Sequence, residues 1–250
     1  MKLRSSHSAT LALALLPLAC LTSACHRKPH VVEQSGWSAL QSGDYMRDEY
    51  MQAVTVTRSP YKAWQEMEAS KIDESIQTIS ITNDKDGISL AFGYNFHEGT
   101  GPIQPETDVT VKPDIYAPPY SLDVLNRNEF VLSNNTISMR FRYVGDWQKW
   151  VDEATIAGTY QDAKGQLYIF QPDGQAEFPG EKTFDYSVGA DMILTDYDYI
   201  YSDKLKNSWA FTTDSSGIKL FDVDENKNEP DGLVSSKPRW VLKKLASQQP

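Results

Sequence analysis

From about Gln77 to Lys243 the chain alternates. Ile79 and Ile81, then Ile88, Leu90 and Phe92, are apolar at every second position, with Asn83-Asp84-Lys85-Asp86-Gly87 between the two runs. A period of two describes a strand with one buried face, and a turn ending in Asp-Gly joins two such strands into a hairpin. Phe130–Leu132 and Ile137–Val144 repeat the pattern around Asn134-Asn135, as do Gly158–Tyr160 and Gln166–Phe170 around Lys164-Gly165. Pro172-Asp173-Gly174 marks a further turn, and strand runs follow at Thr183–Val188, Asp191–Leu194, Tyr197–Tyr201, Trp209–Thr213, Ile218–Val223 and Arg239–Lys243. Short alternating runs separated by turn residues predict an all-β fold, a mainly antiparallel barrel or sandwich.

Two segments break the alternation. Ser59-Pro60 places a capping residue before a proline at the first helical position, and Tyr61, Trp64 and Met67 recur at helical spacing to about Ser70. Asp146 caps a second helix with Trp147, Trp150, Val151 and Ala154 on one stripe. The fold class is therefore all-β with two short α-helices near 60–70 and 147–154. Asp44 to Ala53 admits another short helix capped by Asp44, whereas Val54-Thr55-Val56-Thr57 alternates like a strand. Between His97 and Pro119 five prolines mark a long excursion, over a sheet face or along the rim of a binding site.

The two halves of the β region resemble each other. Phe130–Val144 lies on Trp209–Val223 without gaps at an offset of 79 residues, and Gly87–Phe92 lies on Gly165–Phe170 at an offset of 78. Trp64-Gln65 and Trp147-Gln148 mark the helix ahead of each half. This pattern predicts two similar β units, each preceded by a tryptophan-bearing helix. They form either two small barrels joined at the Trp147 helix or, the arrangement favoured by the small core of a half this size, one continuous barrel or sandwich plugged by Trp147 and Trp150.

The beginning of the chain follows a different logic. Lys2 and Arg4 precede a short apolar run, Leu11–Leu21, and Thr22-Ser23-Ala24 lead into Cys25. A basic start, a short apolar stretch and small residues describe a secretory signal segment. Leu21-Thr22-Ser23-Ala24-Cys25 resembles the lipobox of bacterial envelope lipoproteins, with Thr22 where that family usually carries leucine; Cys20 would place Pro17 there. The resemblance implies a signal peptide at 1–24, cleavage before Cys25 and lipid on Cys25. His26, in place of aspartate, points by the same resemblance to the outer membrane, facing the periplasm. His26-Arg27-Lys28-Pro29-His30 reads as a tether, with a disordered stretch at 26–36. The predicted organisation is thus a leader (1–24), an anchored tether and N-terminal segment (25–58), and a β-rich domain (59–250) with possible halves at 59–144 and 145–245.

Removing the leader changes the charge. Of 24 Lys+Arg, Lys2 and Arg4 leave, so 22 remain against 34 Asp+Glu, a net of −12. Phosphate repels such a chain, which argues against nucleic acid. A membrane would hold it through acyl chains, and a basic protein partner would be drawn to its field. Both cysteines, Cys20 and Cys25, lie at the processing site, so the expected mature chain has neither a disulfide nor a catalytic thiol.

The search for chemistry finds little. His97-Glu98 is a lone pair without nucleophile or orienting group, and Gly-x-Ser-x-Gly, His-Glu-x-x-His and phosphate-cradling glycine motifs are absent from the sequence. Asp196 and Asp198 share a strand face, as the acid and base of a carboxylate-based carbohydrate hydrolase would, but the abundance of Asp and Glu makes such a pair expected by chance. Asp222, Asp224, Asn226, Asn228 and Asp231 alternate as calcium ligands do, but Lys227 and Leu233 stand where an EF-hand requires glycine and glutamate, so the stretch reads as a solvated acidic loop. No catalytic residue, metal ligand or cofactor is assigned, and the chain is read as a non-enzyme.

Tyr197, Tyr199 and Tyr201 share the opposite face from those aspartates. Core packing is the first reading of this row; inside a barrel it would line a pocket, and on a sheet surface it would form a contact patch. Residues 156–245, with GTY…GQLYIF…DGQAEF and a closing strand at Trp240, have a weak resemblance to small lipocalin-like bacterial barrels. Three functions follow as expectations. The first is a binding protein without catalytic activity, of the kind that inhibits an envelope hydrolase or gives immunity to a toxin. The others are a carrier of a small apolar ligand and the carbohydrate hydrolase.

Overall fold

The computed structural model describes residues 35–69, 76–94, 98–113, 118–190, 196–224 and 233–246, and every count below is of those residues. A first sheet contains β1 (Gly43–Arg47), β2 (Thr78–Asp84), β3 (Gly87–Tyr94), β4 (Glu98–Gly99), β5 (Thr110–Val111), β6 (Tyr120–Asn126), β7 (Glu129–Ser133) and β8 (Ser138–Gly145). A second contains β9 (Gly158–Gln161), β10 (Leu167–Phe170), β11 (Gln175–Glu177), β12 (Phe184–Asp185), β13 (Ser187–Val188), β14 (Asp198–Ser202), β15 (Asn207–Asp214), β16 (Gly217–Asp224), β17 (Leu233–Val234) and β18 (Trp240–Lys244). Helices α1 (Asp48–Thr57), α2 (Pro60–Ala69) and α3 (Trp147–Thr155) complete the set, and none is long and apolar enough to cross a membrane. The fold is the all-β, antiparallel barrel class that the alternation predicts.

The β2–β3 hairpin shows how local sequence becomes sheet. Asp84 pairs with Gly87, which leaves Lys85-Asp86 as a two-residue loop. Gly87 takes φ 118°, open to a residue without a side chain, and Asp84 Oδ1 accepts the Asp86 N–H at 2.8 Å. Ile79, Ile81, Leu90 and Phe92 then all fall on the buried face.

The first sheet runs β4-β3-β2-β1-β8-β7-β6-β5 and is a half-barrel; the second runs β12-β11-β10-β9-β18-β16-β15-β14-β13, with β17 beside β16. The outer strands β12 and β13 of the second sheet are separated by Tyr186 alone, so the chain itself bridges the two edges and the barrel nearly closes. No strand pairing joins the two sheets, in contrast to a single continuous barrel. The sequence matches occupy equivalent places. The 79-residue offset carries β8 onto β16, and the 78-residue offset sets β3 on β10. One strand in each sheet lies outside that correspondence: β1 fills the gap between β2 and β8, and β18, from the opposite end of the chain, fills the gap between β9 and β16.

Each sheet has its own core, and the second is not built from the second half alone. Beneath the first sheet, Phe130 packs against Tyr45 at 5.1 Å and Phe141 at 5.2 Å, with Trp37 buried beside them. The second core joins Tyr168, Phe170, Phe184, Trp209 and Leu242 to Met46, Tyr50, Val54, Ala63 and Met67, which come from β1, α1 and α2. Arg58, at φ 52°, ties the α1–α2 corner down: its Nε and Nη2 donate to Thr155 O at 3.1 and 2.8 Å, and its own carbonyl accepts from Thr213 Oγ1 at 3.1 Å.

Three expectations need correction here. Asp44 does not cap α1; it lies in β1, where its carboxylate accepts from Ser80 Oγ at 2.6 Å and, at the start of α3, from Trp147 N at 3.1 Å. Val54–Thr57 is the end of α1 rather than a strand, because Val54 is fully buried in the second core while Thr55 and Thr57 return their hydroxyls to Met51 O and Ala53 O, both at 2.8 Å. Gly36, placed in the tether, opens a 3-10 turn (Gly36–Ala39) held by a Trp37 N–H to Asp108 O bond of 3.0 Å.

Candidate functional site

The largest departure from the sequence reading is the tyrosine row. Along β14, Asp198, Ile200 and Ser202 face inward, while Tyr199 is half-buried and Tyr201 is 37% exposed. Tyr197 precedes them, and the three rings follow one another at centroid spacings of 6.4 and 6.5 Å. Core packing is therefore overturned: this is an outer-face ladder. Its cross-strand partners on β15 are small, Ala210 opposite Tyr199 and Ser208 opposite Tyr201, so nothing on that strand covers the rings. Gly189 lies under Tyr199, where a Cβ would come within 2.1 Å of the ring.

The face is fixed by what happens on the other side of β14. Asp198 is buried and accepts from Tyr61 N at 2.9 Å and from Ser59 Oγ, while Ser59 Oγ in turn accepts from Lys62 N at 3.0 Å. Ser59 thus caps α2 as predicted, and Asp198 satisfies a second orphan N–H at the positive end of the same helix. Burial pushes the Asp198 carboxyl up to about 6, against the lowering influence of the Ser59 and Tyr61 bonds. Asp196, by contrast, is exposed. Both oxygens of Asp198 are occupied in holding α2.

Beside this corner Tyr61 and Trp64 stack at 6.1 Å with their planes 25° apart. They are half-buried; Ala63 and Met67 form the core-facing stripe instead. Burial, then the charge of Asp196, raises the Tyr61 hydroxyl above its usual range, which sets Asp196 within electrostatic reach of the ring. The sequence reading missed this juxtaposition of α2 aromatics with the acidic approach to the ladder.

A second buried carboxylate organises α3. Asp152 Oδ1 accepts from Val188 N at 2.7 Å and from Gln148 Nε2 at 3.0 Å, fastening the helix to β13. Burial pushes its carboxyl up to about 7. It borders a recess of about 310 Å³ that Asp146, Asp173 and Asp185 also line. Its bonds are structural.

One end of the second barrel carries a different recess, of about 290 Å³, walled by Phe178, Leu205, Trp209 and Trp240 and rimmed by Lys206 and Arg239. The Arg239 guanidinium stands 4.5 Å over the Trp240 ring and pairs with Asp222 at 2.9 Å. Trp209 is 4% exposed, and its Nε1–H has no acceptor. The turn at the rim is pinned, since Lys204 Nζ donates to Thr183 O at 2.6 Å and Leu205 N to Ser202 Oγ at 3.2 Å.

Several candidates fall outside the described residues: Cys20 and Cys25 with the whole leader and tether to 34, His97, the Glu98 side chain, the 191–194 strand, and 225–232 of the acidic loop. Asp222 is described and binds Arg239. Among the described residues no group of three or more His, Cys, Asp or Glu side chains is placed to hold a metal ion. No protein-family model, no curated protein and no solved structure matches this chain.

Proposed function

We propose that the protein is a lipid-anchored binding protein of the bacterial envelope, held in the outer membrane through Cys25 and facing the periplasm, whose β14 face contacts a basic protein. The observation that carries the reading is the outward-facing ladder Tyr197-Tyr199-Tyr201, whose last ring is 37% exposed. Tyrosine offers a large, stiff contact area with a polar tip, which recognition surfaces use heavily. The ladder adjoins exposed Asp196 and Asp203 on a chain whose net charge without its leader is −12, so a cationic partner is steered toward it. An inhibitor of a basic envelope hydrolase, or an immunity factor against a cationic toxin, has this chemistry. The buried carboxylates Asp152 and Asp198 serve the fold in this reading and perform no catalysis.

Two expected results test it. Residues 31–250, used as bait in an envelope extract, capture a basic protein at low salt and lose it as ionic strength rises, because exposed charges are screened beyond about 10 Å at 0.1 M salt. Tyr199→Ala with Tyr201→Ala abolishes capture without lowering the thermal midpoint by more than a few degrees, since both rings are outside the core. Capture that is unaffected by the pair removes the ladder from the interface. Separately, cells fed a clickable palmitate label the wild-type chain and do not label Cys25→Ala; continued labelling of that variant rules out the anchor.

A further inference from the structure

The recess at the end of the second barrel has no role in the partner reading, and its make-up is unusual for a structural gap. Three aromatic side chains form part of its wall, among Glu181, Lys206, Asn207 and Arg239, and its volume of about 290 Å³ lies near the lower bound of small-molecule sites, which occur preferentially in the mouths of β-barrels. A filled core closes such space; here two tryptophans and a phenylalanine border it while still packing edge-on against one another, Phe178 to Trp240 at 5.3 Å and Trp209 to Trp240 at 6.0 Å.

Two polar features give the space a direction. A buried tryptophan N–H usually has an acceptor, because a donor taken out of water without one loses its hydration uncompensated. Trp209 lines the recess, is almost fully buried, and lacks one. At the rim, Lys206 has no ion-pair partner among the described residues, whereas Arg239 is held by Asp222 and Glu181 adds one opposing charge. Lys206 also sits at φ 49°, a left-handed conformation uncommon for a residue with a side chain, within a turn pinned by Lys204 and Ser202. The backbone that carries the rim cation is therefore fixed before any ligand arrives, while its ammonium stays exposed.

We infer that this mouth binds a small amphiphilic acid, a planar apolar body seated among Phe178, Trp209 and Trp240 with its anionic group accepting from Trp209 Nε1–H and facing the Lys206 ammonium. The apolar body supplies the driving force by leaving water, and the acceptor completes the unmet donor. A neutral molecule of the same shape leaves Lys206 unused and binds less tightly.

The probe is 8-anilinonaphthalene-1-sulfonate, with neutral N-phenyl-1-naphthylamine as its counterpart, titrated into residues 31–250 and read by dye emission and tryptophan quenching. The sulfonate binds one per chain and saturates. Lys206→Gln weakens it about tenfold, or ~1.4 kcal/mol, and leaves the neutral dye unchanged. Trp209→Phe, which keeps the ring and removes the donor, weakens the sulfonate more than the neutral dye; its near-ultraviolet dichroism verifies folding. Tyr199→Ala with Tyr201→Ala changes neither dye, so failure of the ladder leaves this site standing. Unsaturable binding, or equal affinity of the two dyes in the wild type, overturns the inference. So does a Lys206→Gln variant with unaltered sulfonate affinity, which remains informative even where Trp209→Phe fails to fold.

Discussion

Residues 146–250 expressed alone do not fold cooperatively: they give no sharp thermal transition and little near-ultraviolet dichroism, whereas residues 35–250 give both. The second sheet contains every strand of its barrel within that fragment, so strand count alone predicts success. Its core says otherwise. Met46, Tyr50, Val54, Ala63 and Met67 are buried in the same cluster as Phe170 and Trp209, and all lie before residue 70. Each large apolar side chain transferred from water contributes about 1.5–3 kcal/mol, so losing this group removes an amount comparable with the roughly 5–15 kcal/mol that holds a whole domain. The fragment also leaves Asp198 buried or half-solvated without Ser59 Oγ and the Tyr61 N–H. Adding residues 43–69 in trans restores dichroism if the helices are what is missing. A cooperative transition in the fragment by itself would show that α1 and α2 are dispensable to that barrel.

The thermal midpoint rises as the solution is acidified from about pH 8 to pH 5. Both buried carboxyls are raised in the fold, Asp152 to about 7 and Asp198 to about 6, chiefly because burial disfavours the charged form. Unfolded, an aspartate titrates near 3.9. Between these limits the native state binds more protons than the unfolded chain, so its stability is fully present below about pH 4 and is lost as pH climbs through 6 and then 7. Around Asp152, the neighbouring Asp146 charge reinforces the shift, while the Val188 and Gln148 bonds oppose it. For Asp198 the Lys62 charge opposes it. Glu129 and Asp214 are lowered instead, by bonds to Arg140 and Ser216, and they withdraw stability only at still lower pH. A gain of about 4 kcal/mol at pH 5 corresponds to about 8–16 °C for a chain of this size. Asp152→Asn retains an oxygen acceptor for the Val188 N–H and flattens the upper part of the profile. An unchanged slope in the Asp152→Asn, Asp198→Asn double variant would mean that other groups set the pH response.

Much of the sheet structure was legible because hairpins are local. Asp84 and Gly87 sit three residues apart, and period-two spacing assigned Ile79, Ile81, Leu90 and Phe92 to one face without any distant information. β6 went unread although Tyr120, Leu122 and Val124 alternate, because the prolines before it drew the whole stretch into a loop. α1 shows propensity yielding to packing: four residues that favour strands are helical because Val54 has a core to enter. The tyrosine ladder marks a stricter limit. Alternation established that Tyr197, Tyr199 and Tyr201 share a face, yet which face is buried depended on Asp198 meeting Ser59 and Tyr61 from 139 and 137 residues away. An aspartate is ordinarily the exposed member of such a pair, so the usual inference pointed the wrong way. The mouth recess was equally unreadable, assembled as it is from Phe178, Trp209 and Trp240 on separate strands and loops.

The places taken by β1 and β18 have a consequence for biogenesis. Both are interior strands drawn from near the two extremes of the described residues: Arg47 pairs with Phe141, and Lys244 with Tyr160. A ribosome releasing this polypeptide N-terminus first has made β1 early, and the half-barrel can zip shut once β8 emerges. The other barrel must wait for Trp240–Lys244. Until those residues leave the tunnel, β9 and β16 present two open hydrogen-bonding borders to each other and to neighbouring chains, the kind of border that templates aggregation. A stop codon just ahead of Trp240 would delete an inner stave, so quality control would meet a gaping barrel.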